Sequence, residues 1–385
     1  MCAKTLTVWI LAVVPAVGVV SPRGQSDTAT GSEDVTFNNG DVTLAGTLTL
    51  PLSGGPHPAV VLISGSGRQD RDGAMKAVPG YRSFAIIAAH LARNGFAVLR
   101  YDDRGVGQST GEYIKAEESD FIKDAQAAFL YLTSRQDIDV ESVGLLGHSE
   151  GSMIAAIVAG NESRVAFVIS MAGVAVDGYS VLLRQAKRQA QARGMNVEQV
   201  AAVMRQQRRM LDLVVAQKWE ELRDAVYETA LNHLHALPED RKALLGDLES
   251  FAQRKAAGTV STFQHPRYQF ILRRDNAKDW ARVSVPVLAL FGELDVQVDA
   301  AQNKSALEET LARAGNDDLT TIVLPAANHL FLKSRTGSMS EYAGMEKEFV
   351  PGFLEAISDW LHRVVIAKNE TKRTATEKDK QRTSP

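Results

Sequence analysis

Apolar residues along the chain follow two different periods, which predict strands in some segments and helices in others. Residues 42–50 (VTLAGTLTL) alternate apolar and polar side chains, which predicts an antiparallel strand, and residues 51–58 supply the turn that follows. Residues 59–63 (AVVLI) form a continuous apolar run rich in β-branched residues, which predicts a strand buried on both faces.

Buried strands and helices then alternate through the first half of the chain. The pattern predicts helices over residues 84–94, 121–133 and 149–159, and strands over residues 97–101, 143–146 and 165–171. Buried strands that alternate with helices are typical of a parallel sheet covered on both faces. The predicted fold class is therefore α/β, with a mostly parallel, doubly wound sheet.

The alternation stops at about residue 178 and resumes at about residue 280. Between these points, long stretches rich in Gln, Arg, Ala and Leu predict helices alone. Strands are expected again over residues 286–291 and 320–324, and helices over residues 301–314 and 349–365. The sequence thus predicts a helical cap (178–279) inserted between the two halves of one core (33–177 and 280–366).

Both ends of the chain differ from the core in composition. Residues 1–18 resemble a secretory signal peptide, because Lys4 precedes a short apolar run that Pro15 interrupts and small residues precede a cleavage site after Gly18. An uncleaved anchor or a buried helix is the alternative. Residues 19–32 are expected to be flexible, and residues 367–385 to form a disordered tail. We expect a periplasmic or secreted protein, with no stable membrane span after cleavage.

Composition and charge exclude several classes of function. The 385 residues are 45% hydrophobic and 23% charged, as in a globular protein, and the net charge of -3 offers no basic surface for nucleic acid. The single cysteine, Cys2, would leave with the signal peptide. The mature chain would then have no cysteine for a disulfide, a nucleophile or a thiolate metal site. The oligomeric state is not predicted.

A candidate nucleophile lies in the stretch GLLGHSEG (144–151). Ser149 lies at a predicted turn from strand to helix, and Gly147 and Gly151 are the small neighbours that such a tight turn requires. In open α/β sheets, ligands bind beyond the carboxyl ends of the strands, where Ser149 is expected. The helix that follows would also direct its N-terminal amides at the site.

A serine nucleophile needs a base, and His329 is the histidine best placed for that role. It lies in the loop directly after the last predicted strand, which is a carboxyl-end position. His148 precedes Ser149 directly, so its side chain should point away from the serine hydroxyl. The remaining histidines are expected to be structural or surface residues: His57, His90, His233, His235, His265 and His362.

The base needs a carboxylate to orient it, and two candidates follow the strand over residues 286–291. Asp295 is favoured over Glu293, because Glu293 is too close to the strand end to turn freely. The chain order Ser149, Asp295, His329 is the order found in α/β-hydrolases. The oxyanion would be bound by the backbone amides of Glu150 and of Ser66, with Gly67 as the alternative to Ser66.

Taken together, these motifs resemble the α/β-hydrolase superfamily. The resemblance rests on GHSEG, on RYDDRGVGQSTG (100–111), on GELDVQV and on the pair Asn328 and His329. More narrowly, the chain is similar to bacterial serine carboxylesterases with a GSG-x-x-DRD loop, a helical cap after the sixth core strand and an LP-x-x-NHLF segment. The similarity covers roughly residues 33–366 and implies the same catalytic residues and no cofactor.

Three further residues are interpreted against the family pattern. Arg68 occupies a position at which the pattern has proline, which leaves the conformation of that loop open. Asp102 and Arg104 are expected to form a structural ion pair that shapes the site without taking part in a chemical step.

The predicted function is hydrolysis of short-chain carboxylic esters through an acyl-enzyme. The cap, inserted between two strand ends, is expected to limit the size of the acyl group. A peptidase, an amidase or a thioesterase on the same core is the enzymatic alternative, and a non-catalytic binding protein is the alternative of another class. A metal-dependent hydrolase is not favoured, because His233 and His235 lack an acidic partner at a strand end.

Overall fold

The computed structural model describes residues 30–52 and 54–366. The predicted signal peptide (1–18), most of the segment 19–32 and the tail (367–385) lie outside the described residues. Two compact units make up the described chain. The helical unit is Val176–Asp275, and the β/α unit contains the described residues before and after it.

Ten strands and twelve α-helices occur in the described residues. The strands are β1 (Thr30–Asn39), β2 (Val42–Pro51), β3 (His57–Ile63), β4 (Ala74–Met75), β5 (Val78–Arg82), β6 (Ala97–Tyr101), β7 (Ile138–His148), β8 (Val168–Met171), β9 (Val287–Gly292) and β10 (Leu319–Leu324). The helices are α1 (Ser83–Arg93), α2 (Glu118–Thr133), α3 (Glu150–Ala159), α4 (Gly178–Ala192), α5 (Val197–Val215), α6 (Trp219–His235), α7 (Glu239–Leu245), α8 (Leu248–Gln264), α9 (Pro266–Arg273), α10 (Asn276–Trp280), α11 (Ala300–Ala314) and α12 (Phe353–Leu361).

The β/α unit is built on an eight-stranded sheet in the order β1-β2-β6-β3-β7-β8-β9-β10. The first two strands pair antiparallel with each other, β2 pairs antiparallel with β6, and all later pairs are parallel. Strands β4 and β5 form a separate hairpin. The carboxyl ends of β3, β7, β9 and β10 therefore lie at one edge of the sheet, where the predicted site residues follow them.

The continuous apolar runs of the sequence form the buried centre of this sheet. Val60, Leu146 and Leu288, from three parallel strands, are fully buried and pack in one cluster with Leu91 of α1 and Trp360 of α12. A strand covered on both faces has no polar side to alternate, which explains its uninterrupted hydrophobicity. The predicted α/β class with a mostly parallel sheet is confirmed.

Two elements of the β/α unit differ from the sequence prediction. Residues 30–32, which were predicted to belong to a flexible segment, instead begin strand β1. The β4–β5 hairpin was not predicted. Only Val35 and Phe37 of β1 are buried, because β1 is an edge strand and its alternate side chains face solvent. Its apolar pattern is correspondingly weak.

The helical unit contains six helices in sequence, α4 to α9. Its main cluster joins Leu211 of α5, Leu222 and Val226 of α6, Phe263 of α8 and Leu272 of α9. The unit ends at Asp275, so residues 276–279, which were predicted to belong to the cap, begin α10 of the β/α unit. In residues 30–52 and 54–366, no helix combines the length and apolar character that a membrane crossing requires.

Candidate active site

Ser149 lies at a sharp turn between β7 and α3, in backbone geometry that few side chains adopt. Its φ of 55° and ψ of -117° lie in the left-handed half of dihedral space. A Cβ atom on Gly147 would lie 2.1 Å from the carbonyl oxygen of Gly151, and one on Gly151 would lie 2.3 Å from that of Ile63. Both glycines are therefore required by the close approach of backbone segments. We call Gly147–Gly151 the elbow.

His329 and Asp295 meet in a buried hydrogen bond. The Nδ1 atom of His329 lies 2.7 Å from Oδ2 of Asp295, and the two side chains are 8% and 1% exposed. The other carboxylate oxygen accepts hydrogen bonds from the amides of Gln297, at 2.7 Å, and Val298, at 2.9 Å. With Nδ1 donating to a fixed carboxylate, the Nε2 atom of His329 has the lone pair that can accept a proton.

Glu293, the competing carboxylate, points to a different partner. Its side chain is exposed, and Oε2 accepts a hydrogen bond from the amide of Ala326 at 2.9 Å. This contact helps to hold the start of the loop that contains His329, residues 325–333, which we call the base loop. Of the two candidates, Asp295 is the carboxylate that contacts the imidazole of His329.

The base loop is ordered by a buried amide that the sequence did not single out for this task. Asn328 is fully buried, and its Oδ1 atom accepts hydrogen bonds from the amides of Leu330, at 2.9 Å, and Leu332, at 3.0 Å. The hydroxyl of Tyr81 donates to the carbonyl oxygen of Leu330 at 3.1 Å. Such side-chain bonds replace the regular pairing that a loop lacks.

His148 links the elbow to the base loop. Its Nε2 atom lies 3.0 Å from the backbone oxygen of His329, and the two imidazole centroids are 4.8 Å apart. In the described residues, no hydrogen bond joins the Ser149 hydroxyl to His329. Hydrogen bonds of this kind commonly tighten when substrate binds. The structure thus brings Asp295 and His329 into contact. Ser149 directly follows His148, whose side chain is hydrogen-bonded to the backbone of His329.

One predicted oxyanion donor, Glu150, directly follows Ser149, and the loop that contains the other, Ser66, passes next to Ser149 at Gly65. Glu150 is the first residue of α3. A Cβ atom on Gly65 would lie 3.3 Å from that of Ser149, and Ser66 and Gly67 follow. We call residues 64–73 the oxyanion loop, after the role predicted for it. The amides of Ser66 and Glu150 remain the predicted donors, with Gly67 as the alternative.

Two adjacent buried carboxylates hold the oxyanion loop in shape, a role that the sequence did not reveal. Asp103 accepts hydrogen bonds from the Ser64 hydroxyl, at 2.6 Å, and from the Gln69 amide, at 2.9 Å. Asp102 accepts from the Arg71 amide, at 2.8 Å, and from the Arg71 guanidinium, at 2.7 Å. The RYDDRG segment therefore acts on the site through the backbone of the loop beside it.

The predicted ion pair between Asp102 and Arg104 is wrong. Asp102 pairs with Arg71, whereas the Nε and Nη2 atoms of Arg104 each lie 2.7 Å from one oxygen of Asp124 in α2. A planar guanidinium binds a carboxylate best in this two-bonded form, and Asp124 on the neighbouring helix provides it. Burial alone would lower the pKa of Arg104, but its bonds to Asp124 raise it.

Arg68, which replaces the proline of the family pattern, anchors the oxyanion loop. Its Nη2 atom donates to the carbonyl oxygen of Gly105 at 2.7 Å. Its guanidinium also lies over the ring of Tyr113, 5.5 Å from the centroid. The loop conformation that this substitution left open is thus fixed by contacts of the arginine itself.

Several remaining histidines make ordinary structural contacts. The Nε2 atom of His90 lies 3.1 Å from the Ser358 hydroxyl, His265 caps the start of α9, and His362 lies 2.9 Å from the backbone oxygen of Asn94. His233 and His235 both lie on α6. Among the residues that the structure describes, no three metal-binding side chains converge on one point.

Comparison with known proteins gives a consistent picture of the fold. A family model described as alpha/beta hydrolase fold matches residues 58–336. Esterase EstD of Thermotoga maritima is 27% identical over 332 residues, which are 86% of this chain and 67% of that protein.

Solved structures are similar in fold at lower sequence identity. A Pyrococcus furiosus esterase superposes with a TM-score of 0.54 at 14% identity, over 91% of this chain and 96% of its own. A proline iminopeptidase of Mycobacterium smegmatis superposes with a TM-score of 0.53 at 16% identity, over 87% of this chain and 100% of its own. Because the family model spans well over half of the chain, the protein belongs to the alpha/beta hydrolase fold family.

Proposed function

We propose that the protein is a serine hydrolase that cleaves short-chain carboxylic esters through an acyl-enzyme intermediate. The observation that carries the proposal is the buried bond between Asp295 and His329, joined through His148 to the strained turn at Ser149. The relative Esterase EstD, similar over most of the chain, supports an ester as the substrate class.

The first half of the reaction forms the acyl-enzyme. The Nε2 atom of His329 takes the proton of the Ser149 hydroxyl while the serine oxygen attacks the carbonyl carbon of the ester. Asp295 holds the imidazole through Nδ1 and stabilises its positive charge. The amides of Ser66 and Glu150 would bind the negatively charged oxygen of the tetrahedral intermediate. As the intermediate collapses, His329 gives its proton to the departing alcohol.

The second half releases the acid. A water molecule attacks the acyl carbon while Nε2 of His329 takes one of its protons, and the new tetrahedral intermediate breaks its bond to Ser149. The serine oxygen recovers the proton from His329, so the enzyme returns to its starting state. Each step uses side chains and amides of this chain.

The proposal also specifies the acyl group of the substrate, for which we propose a preference for short chains. It rests on the sequence, in which the helical segment interrupts the core between two strand ends. We expect faster turnover for acyl groups of about two to six carbons than for long ones, since pocket size limits the acyl group. Faster hydrolysis of long-chain lipids than of butyrate esters would contradict this preference.

The deciding experiment is a substrate panel with one acyl group and three leaving groups. The protein and Ser149→Ala are assayed on matched butyryl ester, butyryl thioester and butyryl anilide, with an aminoacyl anilide added to detect peptidase activity. We expect the ester to have the highest kcat/KM and the variant to lose it. Higher kcat/KM on the thioester or on an amide would favour the alternative enzymes. Failure of all four substrates would favour a binding protein.

The cellular location is also proposed from the sequence. We propose export to the periplasm or beyond, with a mature N-terminus close to Val19, on the basis of the charged and apolar pattern of residues 1–18. N-terminal sequencing of the protein from a cell-envelope fraction tests this directly. An intact Met1 in the cytoplasm would overturn it.

A further inference from the structure

His148 belongs to the elbow and contacts two other loops of the candidate site. Its backbone ends β7 directly before Ser149, and its Nε2 atom lies 3.0 Å from the backbone oxygen of His329. Because a carbonyl oxygen only accepts hydrogen bonds, Nε2 of His148 must be protonated and donate. A Cβ atom on Gly65 would lie 3.3 Å from Nδ1 of His148, so the ring also borders the oxyanion loop.

Other hydrogen bonds hold the base loop to parts of the protein away from the elbow. The Leu294 amide donates to the carbonyl oxygen of Ala327 at 2.8 Å, the Val350 amide donates to that of Phe331 at 2.9 Å, and Asp295 binds the His329 ring. Asn328 bonds only within the loop and to Met345, and Tyr81 bonds to Leu330 from the β4–β5 hairpin. In the described residues, His148 makes the one hydrogen bond between the base loop and the elbow. That bond lies one residue from Ser149 and ends on the backbone of His329.

The charge state of His148 is compatible with a fixed donor. Burial, and next the nearby His329, lower the pKa of His148 to about 4, while its bond to the His329 backbone and the charge of Asp295 oppose the shift. His148 is thus neutral at neutral pH. When His329 takes the proton of Ser149, only one of two rings whose centroids are 4.8 Å apart becomes positive.

We propose that His148 is a positioning residue, which fixes His329 relative to Ser149 by donating its Nε2 proton to the His329 backbone. This inference rests on the proposed function, because it concerns proton transfer between Ser149 and His329. His148 exchanges no proton in the reaction. Proton transfer requires the two heavy atoms to come within hydrogen-bond distance, and a displacement of about 1 Å can cost about 100-fold in rate.

The test compares two substitutions at His148 with a matched control. His148→Phe keeps the ring and removes the donor, whereas His148→Gln places an amide donor close to the position of Nε2. His362→Phe removes a similar bond, from Nε2 to the backbone oxygen of Asn94 at 2.9 Å, at an exposed position. Each variant is assayed for kcat, KM, melting temperature and the rate of fluorophosphonate labelling.

We expect His148→Phe to lower kcat and the labelling rate together by about 10- to 100-fold, with KM changed less than about threefold. His148→Gln should recover most of this loss, and His362→Phe should be unaffected. A normal kcat for folded His148→Phe would overturn the proposal. Equal loss in His148→Phe and His148→Gln at equal melting temperature would do so too, because a donor would then have no role.

Two further measurements keep the proposal testable if an assay fails. Should His148→Phe not fold, His148→Gln is compared with His148→Asn, whose shorter amide falls short of the carbonyl, and equal activity would overturn the proposal. Nitrogen-15 NMR of the histidine rings reads the tautomer without any turnover. A neutral His148 protonated on Nε2 at pH 6 supports the hydrogen bond on which the proposal depends, even if no ester is cleaved, and an Nδ1 proton or an imidazolium overturns the proposal.

Discussion

The β/α unit and the helical unit differ in whether they bury acidic side chains. In the described residues, every buried carboxylate belongs to the β/α unit. These are Asp102, Asp103, Glu118, Asp124, Glu150, Asp279, Asp295 and Asp299. The described part of the helical unit has no buried carboxylate, and its buried polar residues are Gln189, Gln207, Thr259 and Arg267.

The difference reflects what each unit requires. Loops of the β/α unit must keep an exact geometry, whereas the helices of the helical unit need only to pack. A buried carboxylate is costly unless its oxygens accept hydrogen bonds, so each one constrains the groups around it. Asp103 fixes the oxyanion loop in this way, and Asp295 fixes His329. The helical unit relies on apolar contacts, which tolerate exchange of residues of similar size. Substitutions of buried residues should therefore mainly affect catalysis in the β/α unit and mainly affect stability in the helical unit.

The largest effect is expected at the nucleophile. Ser149→Ala should lower kcat on an activated ester by roughly four to six orders of magnitude, because alanine has no hydroxyl to attack the ester. The fold should be unchanged, since the elbow depends on Gly147 and Gly151 and not on the hydroxyl. Steady-state kinetics with circular dichroism checks both parts, and a folded variant with normal activity would remove Ser149 from its role.

The next effect separates the two carboxylates beyond β9. Asp295→Asn should cost on the order of four decades in kcat, the loss known for the equivalent change in a serine protease, because the amide favours the wrong tautomer of His329. Glu293→Gln should cost less than about tenfold, because glutamine can still accept the Ala326 amide. Both variants are measured on one ester. A severe loss in Glu293→Gln beside a near-normal Asp295→Asn would reverse the assignment.

An intermediate effect is expected where a carboxylate acts only through a loop. Asp103→Asn places an NH2 group against the Ser64 hydroxyl or the Gln69 amide, so the oxyanion loop should shift and kcat should fall by about 10- to 100-fold. Asp137→Asn, which disturbs a partly exposed pair with Arg135 in the same unit, is the control and should stay within about twofold. Equal activity of the two variants would show that Asp103 does not shape the site.

The smallest effect on catalysis is expected in the helical unit. Leu222→Ala should destabilise the unit by about 2–5 kcal/mol through the cavity it leaves, while kcat on a short ester stays within about threefold. Val197→Ala, at an exposed position of α5, should change neither quantity. Urea unfolding and the ester assay measure both. A kcat loss of 100-fold in folded Leu222→Ala would break the distinction between the units.

The sequence predicted the parts of the fold that depend on burial. The continuous apolar run at residues 59–63 became the end of β3, because a strand covered on both faces has no polar side, and the shorter apolar run at residues 97–99 began β6. Strand β1 escaped detection, since an edge strand is held largely by its pairing with β2 and needs few apolar side chains. The end of the helical unit was misplaced because α10 continues the helical pattern.

The site was predictable to the extent that its residues follow strands. Asp295 and His329 each follow a parallel strand, and parallel strands end at one edge of the sheet. The partners of Asp102 and Arg104 were not predictable, because they depend on where the oxyanion loop and α2 pack beside the RYDDRG segment. The contact of His148 with His329 joins residues 181 positions apart and leaves no pattern in the sequence.

The most direct test of the proposed nucleophile is to find which residue a fluorophosphonate modifies. Only an activated serine reacts readily with this probe, so the reaction reports the proposed chemistry without assuming a substrate. The protein, Ser149→Ala and His329→Ala are treated with the probe, digested and mapped by mass spectrometry. In the protein without substitutions, we predict that the probe modifies one residue, Ser149. In either variant, we predict at most slow labelling. Labelling at another serine, or none in the folded protein, would contradict the account.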